Sequence, residues 1–230
     1  MNFLQLCQRT ASECSSSLTG PSSVANQTGR LGQIVKWVNA AWMDVQTRRD
    51  NWRFMAGSFT VNTTASDGKY AYTDCTDVAT AAAISAFRAW RLDTLKIYLT
   101  SAGAGSETNL CPLAYDDWYY RFNTGTQTNS YPRYFTVDHD MALLLAPKPG
   151  GAYTVSGEYQ KAATEMAADA DIPGMPEEYH MAIVYRAMMK YGRYTGASEV
   201  YSDGEMEYRR MMLQMQGSQL PPNRVGGPLA

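Results

Sequence analysis

Residues 30–55 read RLGQIVKWVNAAWMDVQTRRDNWRFM, and the apolar pattern changes its period within this stretch. In the first part the apolar residues recur every three or four positions, as on one face of a helix, at Leu31, Ile34, Val35, Val38, Ala41, Trp42 and Val45. From Trp52 onward the spacing changes to strand-like alternation. The stretch therefore predicts a helix that ends near Arg48 or Arg49, where basic residues suit the negative end of the helix dipole, and a β-rich segment that begins at Trp52.

Helices are also predicted at both ends of the chain. Residues 2–15 have the apolar spacing of a short amphipathic helix. Thr28 suits the N-cap of the helix that follows it. Pro176 suits the first position of another helix, which stops around Gly196, and a further helix starts near Ser198. In the helix of residues 30–49 the polar face is formed by Lys36, Asn39, Asp44 and Gln46.

Between these helices the chain reads as strands separated by turn residues. The strand-like segments are residues 69–74, 87–100, 134–147 and 148–161, the last of which begins with a Pro-Gly-Gly hairpin turn. Residues 109–123 read either as a further strand or, from Asp116, as the start of a short helix. After Gly217 the sequence is rich in Pro and Gly without periodicity, which predicts an extended tail.

The prediction is an α+β fold with a helical bundle body, an inserted antiparallel β-rich domain and an extended C-terminal tail. The body comprises residues 1–50 and 165–216, the β-rich domain comprises residues 51–164, and the tail comprises residues 217–230. Three large aromatic side chains are predicted to hold the joint between helices and sheet, since each buries ~150–250 Å²: Trp37, Trp42 and Trp52.

Composition restricts the classes of function. The formal net charge is −2 and the pI is about 5.7, which argues against a sequence-specific reader of nucleic acid because such proteins carry a basic footprint. Charged residues make up 18% of the chain, whereas Tyr and Met are abundant, with 16 and 13 residues. Two interpretations of this surface stay open: Tyr and Met are buried against partners, where they are enriched, or they fill a β-rich core.

Cysteine and histidine usage gives no sign of a zinc site. The chain has two histidines, and no CxxC pair occurs among Cys7, Cys14, Cys75 and Cys111. We interpret these cysteines as small apolar thiols in a reducing compartment. No segment reads as a signal peptide, and no apolar run approaches the ~20 residues that span a bilayer. The expectation is a protein that is cytosolic when made, without a membrane phase.

The most enzyme-like cluster is Asp138-His139-Asp140. On a strand the two aspartates would share one face while His139 points to the other, so neither aspartate could orient the imidazole as in a catalytic triad. Asp116 and Asp117 show no partner carboxylate at a spacing that suggests glycosidase chemistry. The Gly103–Ser106 loop lacks the Lys of a phosphate loop. No catalytic residue, metal site or cofactor is therefore predicted.

Three segments together resemble the head-to-tail adaptor (neck or connector) proteins of tailed bacteriophages. Residues 28–54 match the pattern TG-x-L-x-x-IV-x-WVN-x-AW-x-x-x-Q followed by D-x-W-x-F. Residues 147–159 match P-x-P followed by Y-x-V-x-x-EY, and residues 172–187 match IP-x-x-P-x-x-YH-x-AI-x-YRA. The resembling portions cover about half of the chain, from end to end, and contain structural signatures without an active site.

The resemblance implies a structural virion protein of the neck. It implies a homo-oligomeric ring, usually twelve-fold, that lies beneath the portal protein, joins the capsid to tail or neck proteins and lets double-stranded DNA pass without specific binding. It also implies a C-terminal tail that reaches the portal. In this sequence the candidate docking residues of that tail are Leu220, Pro221, Pro222, Val225 and Leu229.

Other classes of function remain as alternatives. The protein could be another neck or tail component of a virion. A carbohydrate-binding or receptor-binding β-sandwich module would use exposed aromatic residues such as Trp90, Trp118, Tyr119 and Tyr120, and its β-rich part would fold and bind alone. A metal-dependent hydrolase would be built on Asp138 and Asp140 and would lose activity on Asp138→Ala.

Overall fold

The computed structural model describes residues 1–15, 19–125 and 127–221. Its helices are α1 (Phe3–Cys14), α2 (Gly29–Thr47), α3 (Tyr115–Phe122), α4 (Met181–Thr195) and α5 (Ser198–Gln219). Its strands are β1 (Ala56–Asn62), β2 (Lys69–Tyr70), β3 (Thr76–Asp77), β4 (Ala82–Ala83), β5 (Phe87–Leu99), β6 (Thr108–Asn109), β7 (Cys111–Pro112), β8 (Tyr134–Val137), β9 (Leu143–Ala146) and β10 (Tyr153–Lys161). The combination of helices with mainly antiparallel sheets confirms the predicted α+β class.

The chain divides into two compact units. The helical unit consists of Met1–Met55 and the chain from Ala163 onward, and the β unit consists of Ala56–Ala162. The change of period at Trp52 therefore precedes the boundary. Arg53–Met55 forms a short 3-10 helix, and both Trp52 and Met55 are buried in the helical core, so these residues do not start the β-rich part as predicted.

The first two helices begin and end close to the predicted positions. A capping box starts α1, because the side chain of Asn2 accepts from the backbone N–H of Gln5 and the side chain of Gln5 accepts from that of Asn2, both at 2.9 Å. Thr28 occupies the N-cap of α2, although its side chain makes no capping hydrogen bond. Helix α2 ends at Thr47, with Arg48 at its C-cap.

The C-terminal helices differ from the prediction at two ends. Pro176 precedes a 3-10 turn, Glu177–Tyr179, and α4 begins only at Met181. At its other end α4 stops where predicted, because Gly196 adopts a left-handed conformation with φ 74°. Helix α5 continues to Gln219, so the first three residues of the predicted extended tail are helical.

The core of the helical unit is formed by α1, α2, α4 and α5. Its fully buried side chains include Phe3, Leu6, Ile34, Trp52, Ile183 and Met215. Helices α4 and α5 approach closely at Gly204, where a methyl group would lie 2.9 Å from the carbonyl oxygen of Tyr185. A small residue at this position therefore sets the separation of the two helices.

The β unit contains two sheets that share one hydrophobic core. The larger sheet has the strand order β4-β3-β1-β10-β5-β6, and the smaller has the order β2-β9-β8-β7. Strand β10 is central, and Val155 pairs with Val61 of β1 on one side and with Ile97 of β5 on the other. These three side chains are buried together with residues of the smaller sheet such as Phe135 and Leu145.

Sequence periodicity located the long strands but not their pairing. The segment 134–147 forms two antiparallel strands, β8 and β9, rather than one. The Pro-Gly-Gly turn does not close a hairpin, because β9 and β10 belong to different sheets. In the segment 69–74 only Lys69–Tyr70 is a strand, and Tyr72–Asp74 forms a 3-10 turn. For residues 109–123 the helical alternative is correct from Tyr115 onward.

Candidate functional site

The first predicted joint residue, Trp37, contacts α4. Its ring meets that of Tyr191 edge-on, with 5.9 Å between the centroids and 88° between the planes. The ring of Tyr194 lies 5.3 Å away in a tilted arrangement. Edge-on and offset geometries are those that the charge distribution of aromatic rings favours. Trp37 therefore joins α2 to the last turns of α4 inside the helical unit.

The other two tryptophans are linked by Phe54, whose position in the sequence did not distinguish it. Phe54 stacks at 6.2 Å on Trp42 and at 5.5 Å on Trp52, with interplanar angles of 28° and 27°. Trp52 is fully buried, and its indole N–H donates to the carbonyl of Val45 at 3.0 Å. All these contacts lie within the helical unit, so the role of the three tryptophans at a joint with the β unit stays a prediction.

Two polar residues of α2 hold the backbone that follows the β unit. The side-chain amide of Gln46 donates to the carbonyl of Thr164 at 2.9 Å and accepts from its N–H at 3.1 Å. Asn39 makes the same pair of bonds with Met166, at 3.1 and 3.0 Å. Each side-chain amide thus satisfies both the N–H and the carbonyl of one backbone residue, as a neighbouring β-strand would. Both residues were predicted to lie on the polar face of α2, whereas Gln46 is buried.

The described part of the predicted docking tail is short. Leu220 is the C-cap of α5, and its partly buried side chain packs against the helical core. Just before it, the hydroxyl of Ser218 lies 2.7 Å from that of Tyr179. Pro221 follows as the last described residue, and the candidate docking residues Pro222, Val225 and Leu229 lie outside the described part of the chain.

The Asp138-His139-Asp140 cluster forms a turn rather than a strand. One carboxylate oxygen of Asp138 accepts from the backbone N–H groups of Asp140 and Ala142 at 2.9 and 2.8 Å. The ammonium of Lys69 lies 2.5 Å from the other oxygen and 3.3 Å from Asp140. Burial opposes ionisation of Asp138, but Lys69 and these N–H groups outweigh it and lower its pKa.

This geometry gives the cluster a structural role. A lysine ammonium already occupies the position between the two carboxylates, and the imidazole of His139 packs on Tyr115 at 4.9 Å between centroids. Among residues 1–15, 19–125 and 127–221, no group of three or more His, Cys, Asp or Glu side chains could hold a metal ion. The described contacts of Asp138 therefore fix the β8–β9 turn.

The aromatic residues proposed for a binding module do not form one exposed surface. Trp90 is buried in the β core, and its indole N–H donates to the carbonyl of Met141 at 2.7 Å. Tyr119 and Tyr120 are exposed on α3. Trp118 lines an open cleft of about 570 Å³ on the β unit, together with Tyr115, Phe122, Lys69 and Lys148. Only part of the predicted aromatic set is therefore accessible.

A second groove, of about 580 Å³, lies in the helical unit beside α5. Its lining is basic and apolar, with the guanidinium groups of Arg48, Arg49, Arg186 and Arg209 and the side chains of Met189, Met212 and Leu213. The ring of Tyr208 contacts two of these arginines, whose Cζ atoms are 5.8 Å (Arg48) and 5.6 Å (Arg186) from the ring centroid. We call this the arginine groove. The periodicity of one helix could not show this groove, because its residues come from the chain just after α2, from α4 and from α5.

The helical unit also exposes several large apolar side chains. On α5 Met206 and Leu213 are 62% and 70% exposed and lie two turns apart, hence on one face of the helix. Others are Ile172, Tyr194 and Tyr201. Within the described ranges no helix combines the length and apolar character that crossing a bilayer requires.

Comparison with known proteins identifies the family. No curated protein gives a significant match to the chain. A family model does match: the one described as SU10 adaptor protein covers residues 1–228, nearly the whole sequence. This match confirms the resemblance to head-to-tail adaptors of tailed bacteriophages. The chain belongs to the SU10 adaptor protein family.

Proposed function

We propose that this protein forms a ring beneath the portal vertex, joins the capsid to the tail and lets DNA pass through the ring. Membership of the SU10 adaptor protein family carries the proposal, because it indicates a structural adaptor in the neck of a phage virion. The helical unit would form the ring, and the role is architectural, without a catalytic step. Family membership indicates the adaptor role. The formation of a ring, its copy number and the passage of DNA are proposed here in addition.

Exposed apolar side chains support a subunit with several partners. Met206 and Leu213 present apolar surface on one face of α5, and Tyr194 is exposed at the end of α4. Tyr and Met are among the residues that protein interfaces enrich, and adjacent exposed apolar side chains mark surfaces that a partner covers. In a ring each subunit has two neighbours, joined by head-to-tail contacts that close when the rotation permits.

Charge supports the passage of DNA. The chain carries a formal net charge of −2. Lysine and arginine side chains along a bore would bind phosphates and release counterions, which would hold the DNA in place. A mildly acidic subunit instead suits a channel through which DNA slides without strong binding.

The test is mass photometry of the purified protein, alone and mixed with portal-bearing capsids that lack the adaptor. We expect about a dozen copies bound per capsid and none bound to capsids without a portal. If the protein remains monomeric and bound to neither kind of capsid, the proposal is wrong.

One alternative within the virion is a neck or tail component that does not touch the portal. The same mixtures distinguish it, because such a protein would bind purified tails but not portal-bearing capsids. Cross-linking followed by mass spectrometry would then show portal peptides for an adaptor and only tail peptides for the alternative.

A further inference from the structure

The arginine groove carries more positive charge than its own carboxylates neutralise. Arg209 is paired with Glu205 at 2.6 Å, and Arg186 is paired with Asp44 at 2.9 Å. Asp44 also receives the ammonium of Lys190 at 3.0 Å. Arg48 and Arg49 are exposed, and neither forms an ion pair with a carboxylate in the described part of the chain. The groove is thus locally basic on a chain whose formal net charge is −2.

Tyr208 lies in the lining of the same groove, in contact with two of its arginines. It is only 4% exposed, and the Cζ atoms of Arg48 and Arg186 lie 5.8 and 5.6 Å from the centroid of its ring. Burial raises the pKa of this phenol although Arg48 and Arg186 act in the opposite direction. The ring helps to hold the guanidinium group of Arg48 at the groove through a cation–π contact.

The walls of the groove are partly apolar. Met189 and Met212 line it, and Leu213 is 70% exposed at its edge. Methionine side chains adapt to different apolar surfaces and are common where proteins bind one another. Guanidinium groups bind carboxylates in a planar, two-bond geometry. The groove therefore offers charge and apolar contact side by side.

We propose that the arginine groove binds a partner protein through a segment in which an Asp or Glu carboxylate stands beside an apolar side chain. The carboxylate accepts from Arg48 or Arg49, while the apolar side chain packs on Met212 and Leu213. This inference deepens the proposed function, on which it rests for the presence of protein partners, by naming the chemistry of one contact.

A protein segment fits the groove better than a nucleic acid does. The carboxylate of Glu205 lies among the arginines and would repel a continuous phosphate backbone, whereas a single carboxylate can approach the side formed by Arg48 and Arg49. The methionine and leucine walls have no counterpart on a phosphate backbone. Charge complementarity and apolar contact together therefore favour an acidic, partly apolar peptide.

The test is fluorescence anisotropy with two labelled decapeptides and the full-length chain. In one peptide two Glu residues flank a central Leu, and in the other both Glu residues are replaced by Gln. We expect the Glu peptide to bind about tenfold more tightly. Arg48→Gln combined with Arg49→Gln should remove this preference. Arg210→Gln is the control, because Arg210 lies on α5 and pairs with Glu207 outside the groove, and it should change the affinity by less than about twofold.

Tyr208→Phe is a second control, because it keeps the aromatic ring in contact with Arg48 and Arg186. It should change the affinity for the Glu peptide by less than about twofold. Equal binding of the two peptides, or binding of neither at millimolar concentration, overturns the inference. Two other results would also overturn it. If a short DNA duplex binds more tightly than the Glu peptide and the double arginine variant abolishes that binding, the groove binds nucleic acid. If the protein forms a concentration-dependent dimer that the same variant loses, the groove binds a second copy of the chain.

Failure of this inference and failure of the proposed function give different results. If wild-type protein binds portal-bearing capsids but neither peptide, the adaptor proposal stands and the inference fails. If it prefers the Glu peptide but does not bind capsids, the groove stands as a peptide site and the adaptor proposal fails.

Discussion

Single side chains hold the helical unit at a few well-defined positions, and Trp42 is one of them. It is 4% exposed and stacks on Phe54. Trp42→Ala should lower the free energy of unfolding by about 3–5 kcal/mol, because the apolar contacts are lost and a cavity remains. Urea denaturation followed by circular dichroism measures this change. A loss below about 1 kcal/mol would show that the ring is not buried as described, whereas Trp37→Ala, at a partly exposed position, should cost less.

Gln46 tests the contribution of a buried amide rather than an apolar ring. Gln46→Leu keeps the approximate volume but leaves the N–H and carbonyl of Thr164 without their partner. We expect a loss of about 1–3 kcal/mol in the free energy of unfolding, since unsatisfied backbone groups are costly. Gln33→Leu is the control on the same helix, because Gln33 makes one exposed bond to Tyr194. Equal effects of the two changes would contradict the structural role of Gln46.

At the level of elements, two glycines of α5 give opposite predictions. A methyl group at Gly204 would lie 2.9 Å from the carbonyl oxygen of Tyr185, whereas one at Gly217 would meet nothing within 4 Å. Gly204→Ala should therefore destabilise the protein by about 1–3 kcal/mol through overpacking of α4 on α5. Gly217→Ala should stabilise it by about 0.5–1 kcal/mol, because alanine favours the helix. Thermal denaturation of both variants measures the signs, and a shared sign would refute the argument.

Elements with strong local signals could be predicted from the sequence. The period of α2, the left-handed Gly196 after α4 and the long alternation of β5 and β10 are encoded locally, and the structure has these elements close to the expected positions. Short strands of two residues, such as β3 and β4, have too few positions to show a period. Their existence depends on pairing with distant strands, which no local pattern specifies.

The candidate sites depended even more on contacts between distant segments. The arginine groove combines Arg48, which caps α2, with Arg186 of α4 and Tyr208 of α5. The turn at Asp138 is fixed by Lys69, which is remote in sequence. Asn39 and Gln46 were visible as motif residues, but their partners are backbone groups of residues 164 and 166. The pattern of residue types was therefore enough to identify the family. The candidate sites could be found only from the three-dimensional structure.

At the level of the whole molecule, the family match over residues 1–228 includes residues of both the helical unit and the β unit. The β unit is one continuous segment, and the helical unit is formed from the two flanking segments. A ring built from the helical unit would therefore require α1 and α2 to fold together with α4 and α5. A C-terminal truncation therefore tests docking only if it leaves the described contacts of α5 intact, because loss of those contacts would also disturb the fold of the helical unit.

The last prediction concerns the docking tail. Deleting residues 222–230 retains Leu220 on the helical core and the contact between Ser218 and Tyr179, so the free energy of unfolding should stay within about 0.5 kcal/mol of the wild-type value. If the tail docks on the portal, as the family resemblance implies, this variant should no longer bind portal-bearing capsids in mass photometry. Deleting residues 217–230 removes both contacts and should also cost about 1–3 kcal/mol of stability. Capsid binding by the shorter deletion at wild-type stoichiometry would rule out the tail as the docking segment, and would move the search for that contact to the exposed face of α5 that carries Met206 and Leu213.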